Sequence, residues 1–189
     1  MSKLTFGKKR RRWNYDLMGT IAIWALEIAV VCFIAFVSVW YFGLRVSVIG
    51  DSMAPNLSNG DVVLVNRLIY NMSTPKRGDV IAFKPKGNEE THYYIKRIVG
   101  LPGETVSVKD GYIYINGKKL KEEYNTKKIE ELGLLKEPIV LGTTEYFVLG
   151  DDRQNSEDSR NADIGNVNRS DIAGKVWFVA SGKEKGFFR

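Results

Sequence analysis

A mainly β domain behind a single membrane-spanning helix is the fold class this sequence predicts. Three observations predict it: a nearly uncharged apolar run close to the N-terminus, alternating apolar and polar residues beyond that run, and turn-forming residues between the alternating stretches. A chain of 189 residues has room for one ordinary domain and an anchor, which excludes a large multidomain machine. A hydrophobic content of 44%, with 12% aromatic residues, excludes intrinsic disorder. The net charge of +6 is concentrated at one end: residues 1–16 hold six bases and one acid, leaving 22 bases and 21 acids in the rest of the chain. A nucleic-acid binder spreads its bases over a folded face, so no nucleic-acid partner is expected. The lone Cys32 permits neither an intrachain disulfide nor a Cys-based zinc site.

The anchor comes first in the chain. From Leu17 to Leu44 there are 28 residues with one charge, Glu27, and the last 17 of them are uncharged. Roughly 20 helical residues cross a hydrocarbon core of about 30 Å. The cluster Lys8, Lys9, Arg10, Arg11 and Arg12 precedes the span, which by the positive-inside rule keeps the N-terminus cytoplasmic and sends residues 45–189 across. Trp40, Tyr41 and Phe42 stand where an outer aromatic belt belongs. The run is too long for a cleaved leader and has no small-x-small site after it, and the basic cluster argues against a buried core helix. Glu27, near the inner third, is placed to snorkel toward the interface or to pair with another helix. The expected organisation is a basic cytoplasmic tail (1–16), a transmembrane anchor (17–44) and an extracytoplasmic, antiparallel β domain (45–189).

Within that domain, strands are expected at Val62–Val65, Val80–Phe83, Tyr93–Val99, Tyr112–Ile115, Tyr146–Leu149 and Lys175–Val179. Gly60-Asp61-Val62 and Gly78-Asp79-Val80 each open a strand from a turn, and Asn116-Gly117 marks a two-residue hairpin. A charged insert near 118–142 begins with alternating Lys and Glu pairs and few apolar residues, and is expected to be a solvated excursion rather than a site.

The chemistry available is narrow. One histidine, His92, is the only base a Ser-His-Asp triad could use, and on a strand it would share a face with Tyr94 and Lys96. A lone histidine is more often an ordinary strand or surface residue. One His and one Cys in the span leave only scattered carboxylates for a metal, so neither a metal centre nor a cofactor is expected. A serine activated by lysine remains. Three blocks bear on it: Gly50-Asp51-Ser52-Met53-Ala54-Pro55-Asn56-Leu57, Tyr94-Ile95-Lys96-Arg97-Ile98-Val99-Gly100-Leu101-Pro102-Gly103-Glu104, and Gly150-Asp151-Asp152-Arg153-Gln154-Asn155-Ser156-Glu157-Asp158-Ser159-Arg160. Taken singly, they read as a turn, a strand with a surface lysine and a solvated loop.

Taken together, in this order behind one anchor and with the two Gly-Asp-Val openings, they resemble the type I signal peptidases of bacteria, in the Gram-positive single-anchor form. The resemblance runs from the anchor to about Val179. It implies a signal-peptidase-type β domain and a Ser-Lys endopeptidase that removes signal peptides from exported preproteins after small residues. Position by position, it implies Ser52 as nucleophile, Lys96 as general base and Ser156 as the serine that hydrogen-bonds the lysine amine. Asp158 and Arg160 match a structural ion pair beneath the site, with Asp151, Arg153 and Arg97 as further supports. Gly50 stands where other members carry a serine whose hydroxyl serves the oxyanion hole, and Asp152 replaces a common Asn. Val48, Met53, Leu57, Tyr94 and Ile95 are the expected lining of shallow apolar pockets. The implied partners are signal-peptide-bearing preproteins and the lipid bilayer, with the secretion translocon left open. A pilin-specialised enzyme and a non-catalytic assembly factor of the same family are the alternatives; retention of both Ser52 and Lys96 argues against the second.

Overall fold

The structure is a computed structural model and describes residues 15–122, 124, 126, 128–182 and 185–188. The chain divides into two compact units, Met1–Val39 and Trp40–Arg189. The apolar run forms helix α1 (Tyr15–Phe42). Its segment Leu17–Phe42 is long and apolar enough to cross a membrane, and its large apolar side chains are exposed. The helix ends two residues before the expected Leu44, which already belongs to a strand. The basic cluster Lys8–Arg12 lies outside the described residues.

The second unit is mainly antiparallel sheet. Its strands are β1 (Leu44–Ser47), β2 (Val62–Asn66), β3 (Val80–Phe83), β4 (Tyr94–Gly100), β5 (Thr105–Lys109), β6 (Tyr112–Ile115), β7 (Lys118–Lys119), β8 (Ile139–Val140), β9 (Glu145–Leu149), β10 (Val167–Asn168), β11 (Ile172–Ser181) and β12 (Gly186–Phe187). The larger sheet runs β1-β2-β11-β3-β4-β9-β10, with β12 on β11; the smaller runs β7-β6-β5-β8. All six expected strands are present. Alternation decides their faces: along β2, Val63 and Val65 are fully buried while Val62 and Leu64 are half-buried.

Turn chemistry sets the registers. Asn116 and Gly117 both have positive φ, the requirement of a two-residue hairpin turn, and join β6 to β7. Asp110-Gly111 joins β5 to β6 in the same way. The doubled Gly-Asp-Val opening is one device used twice. Asp61 Oδ2 accepts the Ser58 N–H at 2.9 Å, and Asp79 Oδ2 accepts the Lys76 N–H at 3.0 Å, so each aspartate closes the turn before its strand.

Three core clusters meet along β4. One joins Val46, Val48, Met53, Leu57 and Ile95 to β2 and β11; a second joins Ile81, Phe83 and Ile98 to Tyr146 and Val148; a third joins Val99 to Val106, Phe147 and Leu149. Strand β4 pairs with β3 along Tyr94–Arg97, but its ladder with β9 begins only at Arg97, opposite Leu149. The stretch Tyr94–Lys96 is therefore paired on one side only, and a cleft lies on the other.

Candidate active site

The cleft beside Tyr94–Lys96 has a volume of about 290 Å³ and is walled by residues 48–52 on one side and 92–96 on the other, with Asn155 and Glu157 at its end. The 48–52 wall is an irregular turn tied to its neighbour: Val48 N–H donates to Asp61 O at 2.8 Å, Gly60 N–H to Val48 O at 2.9 Å, and Gly50 N–H to Asn59 Oδ1 at 3.0 Å. Gly50 occupies the left-handed region, φ +77°, which a side chain rarely adopts. On the opposite wall, Ile98 bonds toward the 78–79 turn through both its N–H and its C=O. Alternation along the strand turns the N–H and C=O of Ile95 the other way, into the cleft.

Within it, Lys96 Nζ is hydrogen-bonded to Ser52 Oγ at 2.6 Å. Lys96 is 4% exposed, and burial pushes its amine down to about 8, against the pull of Asp158, Glu157 and Asp151. An amine with that pKa is partly neutral near pH 8 and can accept a hydroxyl proton. His92 stands apart from this pair: it lines the outer cleft and stacks on Tyr94, ring centroids 4.7 Å apart.

Beneath the pair lies a set of buried ions. Arg97 grips Asp151 with Nε at 2.7 Å and Nη2 at 2.6 Å, and Asn56 Nδ2 donates to the same carboxylate at 2.7 Å. Arg160 binds Asp158 through Nε at 2.8 Å and Nη2 at 2.9 Å, while Asp158 also accepts the Gly150 N–H at 3.1 Å. Arg153 Nε donates to Gly150 O at 3.0 Å, and its two terminal nitrogens clasp the Glu122 carboxylate. Asp152 N–H donates to Ser52 O at 3.0 Å, joining this loop directly to the serine turn. Gly150 is required sterically, because a Cβ there would overlap both Ser52 O and Ser156 Oγ.

Three expectations are corrected in detail. Ser156 makes no hydrogen bond to the lysine amine; its Oγ is buried against Gly150 and unpaired, while Lys96 Nζ is directed at Ser52. Met53 and Leu57 are core residues, 0% and 1% exposed, packed behind Val48 and Ile95 instead of facing the cleft; only Val48, Tyr94 and Ile95 of the expected pocket line it. The charged insert is docked, not solvated throughout. Glu122 reaches Arg153, Tyr124 stacks 4.1 Å above the Arg97 guanidinium, and Glu131 O accepts from Arg160 Nη1 at 3.1 Å. Burial pushes the Tyr124 hydroxyl up to about 12, so the ring stays neutral over its cation. Sequence reasoning missed Asn56, Glu122 and Tyr124; an aromatic residue inside a run of charges was the one available sign of docking.

Comparison with known proteins places this architecture. A family model described as signal peptidase, peptidase S26, matches residues 21–181. Signal peptidase I P of Bacillus subtilis subsp. natto is 35% identical over 176 residues, 89% of this chain and 91% of that one. Signal peptidase I S of Bacillus subtilis is 37% identical over 174 residues, 88% of this chain and 92% of that one. A solved signal peptidase I from Enterococcus faecalis, 34% identical, covers 55% of this chain and 97% of its own, with a TM-score of 0.45. The fold, the family model and the two Bacillus relatives define a peptidase with an antiparallel β-sheet domain. The chain belongs to the signal peptidase family, peptidase S26.

Proposed function

We propose that this chain is a membrane-anchored serine endopeptidase that cleaves N-terminal signal peptides from exported preproteins, with Ser52 as nucleophile and Lys96 as general base. The observation that carries it is the 2.6 Å contact between Ser52 Oγ and a buried amine whose pKa is lowered to about 8. The neutral amine takes the Ser52 proton as Oγ attacks the scissile carbonyl. The Ser52 main-chain N–H, with a neighbouring amide or a water, receives the developing oxyanion, since Gly50 has no hydroxyl to offer. The Lys96 ammonium then returns the proton to the departing amine, leaving an acyl-enzyme ester. Lys96 next deprotonates a water, which attacks the ester, releases the signal peptide as a carboxylate and restores Ser52. Asp158, Glu157 and Asp151 favour the ammonium formed in each half, offsetting part of its desolvation.

The signal-peptide side lies extended beside Ile95, whose main-chain N–H and C=O are available to pair with it. Shallow apolar walls at Val48, Tyr94 and Ile95 admit alanine-sized side chains and reject larger ones. The bilayer is engaged by α1, with the basic cluster Lys8–Arg12 inside the cell and residues 45–189 outside.

The test is cleavage of a signal-bearing preprotein by the detergent-solubilised full chain. Ser52→Ala and Lys96→Ala are each expected to abolish turnover, because nucleophile and base act as a unit, and His92→Ala to leave it nearly unchanged. An inactive His92→Ala beside an active Lys96→Ala would assign the base to histidine instead. Failure of the wild-type chain to cleave would favour the non-catalytic alternative.

A further inference from the structure

Strand β9 closes the cleft at one end. A chain lying extended beside Ile95 meets the start of the β4–β9 ladder at Arg97 and Leu149, and cannot continue in the plane of the sheet. Past Ser52 it must rise over the loop that follows β9, which carries Asn155, Ser156 and Glu157. On the far side of that loop lies a second, larger cleft of about 680 Å³. The two clefts share Asn155 and Glu157, so together they form one track with the serine turn at its first part.

The second cleft's opposite wall comes from the charged insert, through Glu131, Leu134 and Lys136. This wall is fixed through the main chain: Glu131 O accepts from Arg160 Nη1 at 3.1 Å, and Leu134 N–H donates to Arg160 O at 2.8 Å. The side chains of Glu131, Leu134 and Lys136 are exposed and left to face whatever lies in the cleft.

We propose that the second cleft binds the first residues of the mature chain, those following the scissile bond, and that it selects them by charge. This rests on the signal-peptide-cleaving function proposed above. Arg160 is neutralised by Asp158 in its buried pair, so the free charges of the lining are the carboxylates of Glu131 and Glu157 against the single ammonium of Lys136. At the rim Glu130 adds a further carboxylate, to which Gln154 Nε2 donates at 2.7 Å, and Lys86 adds an ammonium, which donates to Ala162 O at 3.2 Å, so the carboxylates still outnumber the ammonium groups by one. The cleft therefore favours lysine or arginine over glutamate or aspartate at the second to fourth mature residues. Glu157, shared by both clefts, also faces the α-ammonium group that the mature chain acquires when it leaves the acyl-enzyme.

The experiment uses the full chain in detergent and preproteins identical through the cleavage site, carrying Lys, Gln or Glu at mature positions 2 to 4. The expected order of kcat/KM is Lys above Gln above Glu, with a span of about three- to tenfold that contracts at 0.5 M salt. Glu131→Lys is expected to reverse the order, and an unchanged melting temperature, expected because the side chain is exposed, reports that the variant is folded. Lys136→Glu is expected to widen the original preference. Equal rates across the wild-type series, or an order indifferent to both substitutions, would overturn the inference while leaving the cleavage function standing. So would a Glu131→Lys effect confined to charges placed on the signal-peptide side. No cleavage of any preprotein by the wild-type chain would remove the cleavage function and this inference together.

Discussion

At the scale of single residues, Lys96 has the largest energetic consequence. Keeping its amine at a pKa of about 8, where an unperturbed lysine lies near 10.4, costs the folded state on the order of 3 kcal/mol while the amine is protonated. Two predictions follow from the same shift. The free-enzyme kcat/KM should rise about tenfold per pH unit below 8 and level off above it, because only the neutral amine accepts the Ser52 proton. A flat or acid-favouring profile between pH 5 and 10 would exclude a lysine base. The folded pKa lies below the unfolded one, so between about 8 and 10.4 the unfolded chain binds more protons and stability rises with pH. Below 8 the full cost is present. Lys96→Met should therefore melt above wild type at pH 7, with the difference gone by about pH 10.5, as differential scanning calorimetry would show. Much at this scale was legible, because Ser52, Lys96 and the Asp158–Arg160 pair sit in compact sequence blocks. Met53 and Leu57 were misplaced because an irregular turn has no period from which to read its inner face, and the structure sends both into the core behind Val48.

Among elements, the insert and the loop after β9 behave as one piece. Arg153, with a side chain only 2% exposed, holds Gly150 O on one edge and the Glu122 carboxylate on the other, and the same loop holds Ser52 O through the Asp152 N–H. Glu122→Gln removes the counter-charge of a buried guanidinium, a loss that typically costs about 3 to 5 kcal/mol. The expected outcome is a lower melting temperature together with a severalfold fall in kcat at nearly constant KM, since the Ser52 turn shifts while the cleft walls at Val48 and Ile95 do not. A fall in KM-dependent binding alone, with kcat intact, would contradict that coupling. None of this was visible in the sequence, where the Lys and Glu pairs of the insert match a solvated pattern and the partner of Glu122 lies 31 residues further on. Strand β5, by contrast, was open to discovery: Thr105–Lys109 alternates and ends on Asp110-Gly111, the same kind of turn that Asn116-Gly117 announced for its neighbour.

For the molecule as a whole, topology is the prediction that matters most. Protease added to intact spheroplasts is expected to digest the β domain, because Lys8–Arg12 precede the span and no comparable cluster follows it directly; protection of residues 60–180 would reverse the orientation. Overall architecture was legible because hydrophobic period changes once, from a continuous run to alternation, and that change locates the end of the helix to within two residues. The order of strands across the sheet was not, since pairing between distant segments such as β2 and β11 leaves no local trace. The one-sided pairing of Tyr94–Lys96 has a further consequence, for which chains can be cut at all. Three residues of open edge correspond to about 10 Å of extended backbone. A helix buries its own N–H and C=O groups and cannot pair there, and a strand already inside another sheet has none to spare. The opening is thus a filter on conformation before it is one on side chains: folded proteins pass by it uncut, and only a segment momentarily without secondary structure of its own can enter.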